Sequence, residues 1–436
     1  MIEQFSVKNF KVHEGWNHFS FSGLTVISGT NNSGKSSLLQ ALYLLTQTKS
    51  NPCPVLALDQ DLGLGGFSDV LNVYATNKET LEFSIDFQED FLCSNGNFTF
   101  LNVTLSFKNP HSFENLSIYD LEDDPILWKI VIDFELNDEM KSMTFELVDL
   151  SEDYIYFISG DYDSGYCYFN GHIPEPIVYK DIQKTNRLVC SSEMDQIRNY
   201  LSYLSKNNIH YLQAFRLNDF NKKNQSVQKE IGVSGQYTAE LIHTKWERKI
   251  DFTSENGSRY IFSDLFDHWT KQLLGENYRI RSQQIDKGNY KINVREQNSG
   301  VEFKLNQVGF GISQLIPMMT LILLSKRDDL ILIENPEVHL HPKLQAMFVD
   351  LCILALNSGR QMVIETHSEH IINRIRLRIK EKPDLLGDIN ILFFEKEPDG
   401  VIQTEIEITE EGRLSYWPKG FFDQSYFDLL GLINNE

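Results

Sequence analysis

A glycine-rich stretch near the N-terminus has the residue types and the spacing of a phosphate-binding loop. Residues 29–36 read GTNNSGKS and fit the pattern G-x-x-x-x-G-K-[ST] without a mismatch. In this pattern backbone N–H groups surround phosphate oxygens, the lysine reaches the terminal phosphates of a nucleotide, and the last hydroxyl ligates Mg²⁺. The alternative is an ordinary Gly/Asn turn. Because the stretch lies between the buried-type strand "LTVIS" and the apolar helix "KSSLLQALYLL", we predict a site for ATP and Mg²⁺.

The residues of this loop therefore have predicted roles. Lys35 would neutralise the β- and γ-phosphates, and Ser36 would bind the metal. The residues predicted to contact ATP are Gly29, Thr30, Asn31, Asn32, Ser33, Gly34, Lys35, Ser36 and Ser37.

A magnesium ion held by such a loop also needs a carboxylate at the end of a neighbouring strand. The segment "DDLILIENPEVHLHP" provides one, because the four apolar residues 330–333 are followed by Glu334. Taken alone, an acid at a strand end is more often simply solvated. The phosphate loop creates the need for such an acid, and no other strand provides it as well, so we predict that Glu334 binds the metal.

Composition limits the class of protein. The chain has 436 residues, of which 41% are hydrophobic, and its formal net charge is -21. A chain this acidic is a poor free-standing DNA binder, because nonspecific affinity depends on Lys and Arg neutralising phosphates. The cysteines are scattered and odd in number, which favours a reducing cytoplasm over a zinc cluster or a disulfide framework; they are Cys53, Cys93, Cys167, Cys190 and Cys352. We see neither a secretory signal nor an apolar run long enough to span a bilayer.

The hydrophobic patterns predict an α/β fold that is split in the sequence. Residues 1–46 are predicted to form three strands, a loop and a helix, and an α/β rhythm returns after residue 308 with strands at "LILIE", "QMVIET" and "INILFFEK". Between them, aromatic alternating strands predict antiparallel sheet up to about residue 190, followed by a mixed helical stretch and a hairpin. We therefore predict a first ATPase half at 1–80, an inserted region at 81–300 and a second half at 301–436.

Three groups of motifs resemble known families. The start, "VKNFKVHEGWNHFSFSGLTVISGTNNSGKSSLLQAL", resembles the N-terminal half of RecF/SMC-type ABC ATPases. "LILIENPEVHLHP" and "MVIETHSEHIINRIR" resemble the Walker B and switch-histidine segments of the OLD-like AAA ATPases of bacterial defence systems. "HYLQAFR", "IGVSGQYTAELI" and the closing "YWPKGFFDQSYFDLLGL" are most similar to a prokaryotic subgroup known only as a domain of unknown function.

The resemblance implies a nucleotide sandwiched in a dimer. "VGFGISQ" matches the place of the ABC signature, so Gly309, Gly311 and Ser313 would meet the γ-phosphate bound to a second subunit. A head-to-tail homodimer enclosing two ATP would follow, with higher oligomers also open. His367 matches the switch histidine, which in the family contacts the γ-phosphate. His339 and His341 could bind a metal as a pair. Two ligands without a nearby third are weak evidence for a metal site, however, and "HLHP" also belongs to the family pattern.

One residue departs from the family pattern. The usual catalytic Glu directly after the Walker B acid is Asn335 here. An amide can orient water but cannot accept its proton, so general-base help is lost at that position. Glu337, two residues on, could substitute. We therefore predict slow hydrolysis, suited to a switch or timer.

Three functions fit these motifs. The first is the ATPase subunit of an antiphage defence system that gates a separate effector, for which an HNH-type nuclease, as in Septu-like pairs, is one candidate. The second is a RecF/SMC-like repair or recombination ATPase, and the third is a transporter ATPase. The acidic charge and the lack of a heptad run disfavour the second, and the absence of a conventional LSGGQ-like signature disfavours the third.

Nucleic acid could bind through the complex, and we expect no membrane contact. Residues 81–300 are where we expect partner recognition, although alternating aromatics on strands are more often core than base-stacking platforms.

Overall fold

The structure of this protein is a computed structural model. It describes residues 1–49, 54–95, 98–113, 123–149, 154–161, 164–175, 177–180, 187–189, 192–216, 230–253, 257–397, 400–416 and 418. The closing segment quoted above falls almost entirely outside these residues.

Contacts divide the chain into two units, each made of separate stretches. The first contains Met1–Phe21, Ser36–Ile209 and Glu397–Val401. The second contains Ser22–Lys35, His210–Lys396 and Ile402–Glu436. The domain boundaries expected after residues 80 and 300 stay a prediction.

The strands and helices follow the chain in this order. The strands are β1 (Ile2–Lys8), β2 (Asn17–Ser20), β3 (Leu24–Gly29), β4 (Thr48–Lys49), β5 (Val55–Leu56), β6 (Thr80–Phe87), β7 (Phe98–Lys108), β8 (Ile126–Leu136), β9 (Glu139–Asp149), β10 (Ile155–Gly160), β11 (Gly165–Cys167), β12 (Phe169–Asn170), β13 (Ile173–Pro174), β14 (Ile177–Tyr179), β15 (Arg187–Val189), β16 (Ile209–Leu212), β17 (Lys249–Thr253), β18 (Arg259–Ile261), β19 (Tyr278–Asp286), β20 (Asn289–Glu296), β21 (Glu302–Lys304), β22 (Leu330–Glu334), β23 (Gln361–Glu365), β24 (Ile389–Glu397) and β25 (Gly400–Ile406). The helices are α1 (Lys35–Leu44), α2 (Phe67–Val70), α3 (Glu89–Asn95), α4 (Ser192–Tyr203), α5 (Thr238–Thr244), α6 (Phe262–Leu274), α7 (Phe310–Leu324), α8 (Pro342–Asn357) and α9 (Glu369–Glu381).

The first unit is built on a large antiparallel sheet. Its strand order is β15-β14-β11-β10-β9-β8-β7-β6-β1-β2, with β5 also pairing with β8. The residues alternate as such a sheet requires: Ile130, Ile132 and Phe134 of β8 are fully buried, while the residues between them are half-buried. The N-terminal strands β1 and β2 belong to this sheet, because β1 pairs antiparallel with both β2 and β6.

The second unit contains a mainly parallel sheet in the order β16-β22-β23-β3-β24-β25. Strand β3 pairs in parallel with β23 on one side and β24 on the other, and all six of its residues are buried. A strand buried on both faces explains the continuous apolar run "LTVIS". The α/β class with a large antiparallel sheet, predicted from the sequence, is confirmed.

Helix limits in the second unit follow local sequence signals. Pro342 lies in the first turn of α8, and Gly359 follows the helix end with a φ of 76°, a left-handed conformation that glycine adopts without strain. The predicted hairpin, over "YKINVREQNSGVEFKLNQ", is formed by β20 and β21. Helix α5 covers only the first part of the segment "TAELIHTKWE", because it ends at Thr244. Within the described residues no helix is long and apolar enough to cross a membrane.

Candidate functional site

The loop between β3 and α1 is pinned to strand β24. Gly29 has a φ of 141°, and a Cβ added there would lie 2.0 Å from the carbonyl oxygen of Phe394. The N–H of Thr30 donates to the same carbonyl at 3.0 Å. Only glycine permits this approach, so the first position of the motif is required by the fold as well as by phosphate binding.

The loop presents backbone donors that the protein does not use. Within the described residues, the N–H groups of Asn31, Asn32 and Gly34 make no hydrogen bond. Asn32 and Gly34 have φ values of 60° and 90°, left-handed conformations of the kind that group backbone N–H donors into an anion-binding turn. The loop runs directly into α1, whose N-terminal end adds a partial positive charge. This cradle fits a group of phosphate oxygens.

Lys35 is held inside the loop. Its side chain is 4% exposed, and Nζ donates to the carbonyl of Thr30 at 2.6 Å, to the carbonyl of Gly29 at 3.2 Å and to Ser33 Oγ at 3.4 Å. Burial lowers the pKa of this ammonium, and the carboxylate of Glu365 raises it. The lysine charge thus lies where the loop would hold phosphates.

Two acids end adjacent parallel strands beside this loop. Glu334 of β22 and Glu365 of β23 are register partners, 7% and 3% exposed. Neighbouring parallel strands have their carboxyl ends on the same side of the sheet. Both acids therefore lie on the side where β3 leads into the loop. Sequence reasoning found Glu334 but missed Glu365, although its signal, an acid closing the apolar strand "QMVIE", is of the same kind.

The segment after β16 contacts Glu334 directly. One carboxylate oxygen accepts a hydrogen bond from the hydroxyl of Tyr211, and the other accepts one from the N–H of Ala214 at 3.3 Å. The guanidinium of Arg216 donates to the main-chain carbonyl of Glu334. Sequence reasoning used "HYLQAFR" only as a resemblance and gave these residues no role.

The residues after Glu334 make hydrogen bonds that connect the end of β22 to the end of β23. Asn335 has a φ of 39°, and its N–H donates to the carbonyl of Glu365 at 2.8 Å. Glu337 accepts hydrogen bonds from Thr366 Oγ1 at 2.8 Å and from the N–H of His367 at 2.7 Å. Glu337 therefore fixes the segment that carries the predicted switch histidine, in addition to being the predicted substitute base.

His367 lies in an exposed position just past β23. Desolvation and the nearby Lys35 ammonium lower the pKa of its imidazole, while Glu337 raises it. The ring is therefore favoured in its neutral form at neutral pH, with one nitrogen able to donate and the other able to accept.

The predicted signature forms the start of α7. Gly309 precedes the helix with a φ of 120° and is exposed. A Cβ on Gly311 would lie 2.6 Å from the carbonyl oxygen of His339, so close packing requires this glycine. Ser313 is 1% exposed, so its contact with a second subunit would require a movement of the helix start. His341, one of the two histidines of "HLHP", caps α8, because its Nδ1 accepts a hydrogen bond from the N–H of Lys343 at 3.4 Å.

Sequence comparison gives the family. A family model described as "AAA ATPase domain" matches residues 1–372. The chain belongs to this ATPase family. Residues 387–432 match a second family, described as "Protein of unknown function (DUF3696)".

Other comparisons show more distant relatives of this AAA ATPase. It is 43% identical over 53 residues to an "ATP/GTP phosphatase" of Helicobacter pylori, and 28% identical over 133 residues to an uncharacterized protein of Methanocaldococcus jannaschii. The matches cover 12% and 29% of this chain, and 14% and 57% of those relatives.

Solved structures similar to this ATPase include two head domains. One is an SMC head bound to the C-winged helix domain of ScpA, with a TM-score of 0.46 and 13% identity, covering 93% of this chain and 98% of that one. The other is an SMC head domain from Thermotoga maritima, with a TM-score of 0.39 and 11% identity, covering 93% and 99%. Because these TM-scores lie below 0.5, the family assignment rests on the AAA ATPase domain match alone.

The structure of this ATPase brings several predicted site residues to one end of the parallel sheet. Lys35, Glu334, Asn335, Glu337 and His367 lie there, joined by the hydrogen bonds and charge interactions given above. Ser36 and Ser37 are the second and third residues of α1. Hydroxyl and carboxylate oxygens are the ligands that Mg²⁺ prefers, so the chemistry of Ser36 and Glu334 fits that ion.

Proposed function

We propose that this AAA ATPase binds ATP with Mg²⁺ and hydrolyses it slowly. The proposal is carried by the loop at residues 29–35, where unused backbone N–H donors and the Lys35 ammonium lie together at a helix N-terminus. Bound Mg²⁺ would neutralise charge on the phosphate oxygens that it touches.

Each site residue has a part in this proposal. The loop N–H groups and Lys35 bind the phosphates, and Glu334 with Ser36 holds the metal. His367, neutral and exposed, contacts the γ-phosphate. Asn335 orients a water molecule without accepting its proton, and Glu337 keeps the His367 segment in place and stands as the substitute base.

A binding and turnover assay tests this proposal. We expect the wild-type chain to bind ATP and to turn over below about 1 per second, the low end of ordinary enzymes. Lys35→Ala should weaken ATP binding at least about tenfold, because it removes the buried charge that faces the phosphates. Lys380→Ala, an exposed lysine on α9, is the matched control and should bind normally. Turnover well above 1 per second would contradict slow hydrolysis, and unchanged binding by Lys35→Ala would contradict the site.

We extend the proposal to a head-to-tail homodimer that encloses two ATP molecules. It is supported by the resemblance of residues 308–314 to a signature segment and by the exposure of Gly309 at the start of α7. Gly309 and Gly311 would contact the nucleotide of the second subunit, with Ser313 joining after the helix start moves.

The biological role that we propose is control of a separate effector in bacterial antiphage defence, in the cytoplasm. This is supported by the OLD-like resemblance of the Glu334 and His367 segments, by the scattered cysteines and by the net charge of -21. A nuclease is the effector we expect, with an HNH-type nuclease as one candidate, and any nucleic acid would bind through the complex.

Purification of the tagged chain from its native host with ATP and Mg²⁺ tests the role. We expect a stoichiometric partner whose nuclease activity changes with ATP, and no such partner on Lys35→Ala. ATP-dependent DNA binding by the chain alone, or copurification with recombination proteins, would favour the RecF/SMC-like repair ATPase instead.

A further inference from the structure

One short segment, residues 211–216, makes three separate contacts with the predicted metal-binding acid. The Tyr211 hydroxyl and the Ala214 N–H each donate to a different carboxylate oxygen of Glu334. Arg216 donates to the carbonyl of the same residue. The carboxylate and the backbone of Glu334 are therefore both fixed by this one segment.

Arg216 is unusual among the buried charges of the second unit. It is 2% exposed, and burial lowers its pKa to about 10 while the carboxylates of Glu337 and Glu334 raise it. Among the described residues its Nε and Nη1 have no hydrogen-bond partner. Burying a guanidinium with unused donors costs stability, so this arginine is poorly explained by stability alone.

Arg360 shows what a structural arginine in the same unit looks like. It is fully buried, and its three nitrogens donate to Ser325, to the carbonyl of Ser358 and to the carbonyl of Asp251. Arg360 satisfies neighbouring carbonyls, whereas Arg216 directs its single described side-chain hydrogen bond to Glu334.

The same segment also touches the start of α7. The side-chain amide of Gln314 donates to the carbonyl of Arg216 at 3.4 Å. Gln314 directly follows Ser313, so the segment that contacts Glu334 also contacts the helix turn with the predicted signature.

We infer that Tyr211 and Arg216 are positioning residues of the ATPase site, acting through Glu334. Tyr211 orients the carboxylate and Arg216 fixes the end of β22, which together set the geometry in which Glu334 meets the water shell of Mg²⁺. The inference rests on the proposed function. Partners that orient a metal ligand typically affect metal affinity or activity about 10- to 100-fold.

Tyr211→Phe and Arg216→Lys test the inference. We expect both variants to need about tenfold more Mg²⁺ for half-maximal turnover and to lose about tenfold in kcat. Their affinity for ATP in EDTA should be unchanged, because the phosphate loop is intact. As a readout independent of hydrolysis, the gain in melting temperature on adding Mg²⁺ to the ATP-bound protein should shrink.

Matched variants separate positioning from ordinary packing. Arg360→Lys changes a buried arginine, and Tyr278→Phe removes a hydroxyl that donates to Glu296 at 3.4 Å; both should keep the wild-type Mg²⁺ dependence. If Arg216→Lys does not fold, Tyr211→Phe, which removes one oxygen, decides the outcome.

The possible failures are distinguishable. If the wild type hydrolyses ATP with Mg²⁺ but Tyr211→Phe and Arg216→Lys keep its Mg²⁺ dependence, the inference is wrong and the proposed function stands. If the wild type neither binds nor hydrolyses ATP, the proposed function fails, and this inference fails with it.

Discussion

At the residue scale, Asn335 suits the local backbone conformation but cannot act as a proton acceptor. Its φ of 39° lies in the left-handed region, which asparagine and aspartate occupy more readily than other non-glycine residues. The N–H donates to the carbonyl of Glu365, so the conformation joins two strand ends. An amide suits this backbone but cannot accept a proton from water.

Asn335→Asp should raise the rate of ATP hydrolysis. Aspartate tolerates the same backbone and adds a proton acceptor, and general-base help is typically worth ~10²- to 10⁴-fold. We expect kcat to increase at least about tenfold in a steady-state phosphate-release assay. Asn335→Gln, which keeps an amide, should show no such gain. An Asp variant as slow as the wild type would mean that proton acceptance does not limit turnover.

His172 predicts a pH dependence of stability. It is 6% exposed, its Nε2 donates to the carbonyl of Leu201 at 2.8 Å, and burial lowers its pKa below the usual 6.5, opposed by that hydrogen bond. Below pH 6.5 the unfolded chain takes up a proton that the folded chain resists. The free energy of unfolding should thus fall by at most about 1.4 kcal/mol per pH unit from 6.5 down to the folded pKa.

Urea unfolding between pH 7.5 and 5 measures this loss. His172→Gln should reduce the slope on the acid side, while His268→Gln, at an exposed position, should leave it as in the wild type. Parallel curves for wild type and His172→Gln would show that His172 contributes nothing to the acid sensitivity.

At the element scale, the central strand β3 decides where the loop lies. It is flanked by β23 and β24, so its carboxyl end lies between Glu365 and Phe394. Neighbouring strand ends thereby supply both the charges and the packing that the loop needs.

Gly29→Ala should disrupt this arrangement. Its Cβ would lie 2.0 Å from a backbone oxygen, and its φ of 141° is rarely adopted by other residues. We expect the free energy of unfolding to fall by about 1–3 kcal/mol, as in overpacked sites, together with loss of ATP binding. Gly387→Ala, where no atom lies within 4 Å of the added Cβ, is the control and should behave as wild type. Normal ATP affinity in Gly29→Ala would show that the loop can move away from β24.

At the scale of the whole molecule, the central question is whether ATP joins two copies. Each chain has one phosphate loop and one signature-like segment. In the proposed arrangement each ATP lies between the loop of one chain and the signature-like segment of the other, so two chains are needed to complete the two sites. The exposed Gly309 is the residue best placed to test this.

Light scattering with a non-hydrolysable ATP analogue should show the mass doubling from 50.6 kDa. Lys35→Ala should stay monomeric because it binds the nucleotide weakly. Gly309→Asp should bind the analogue but stay monomeric, because the backbone strain of a side chain at a φ of 120° and the repulsion between its carboxylate and the second subunit's γ-phosphate both oppose the contact. A wild type that remains monomeric at saturating analogue would overturn the dimer while leaving the ATP site intact.

The sequence alone determined the parts of this protein that depend on local spacing. The loop at residues 29–36 and the alternating strands of the antiparallel sheet follow from the φ/ψ preferences and side-chain periodicity of neighbouring residues. Those signals need no knowledge of the rest of the chain. They were sufficient for the α/β class, and the site residues that they indicate stay predictions.

Only the tertiary structure decided which distant groups surround those residues. Tyr211 and Glu334 are 123 positions apart, and Arg216 and Glu334 are 118 apart. Glu365 approaches Lys35, and Gly311 packs on His339, for the same reason: sheet order and helix packing bring them together. Contacts of this kind depend on which strands become neighbours, and a single chain's local patterns do not specify that order.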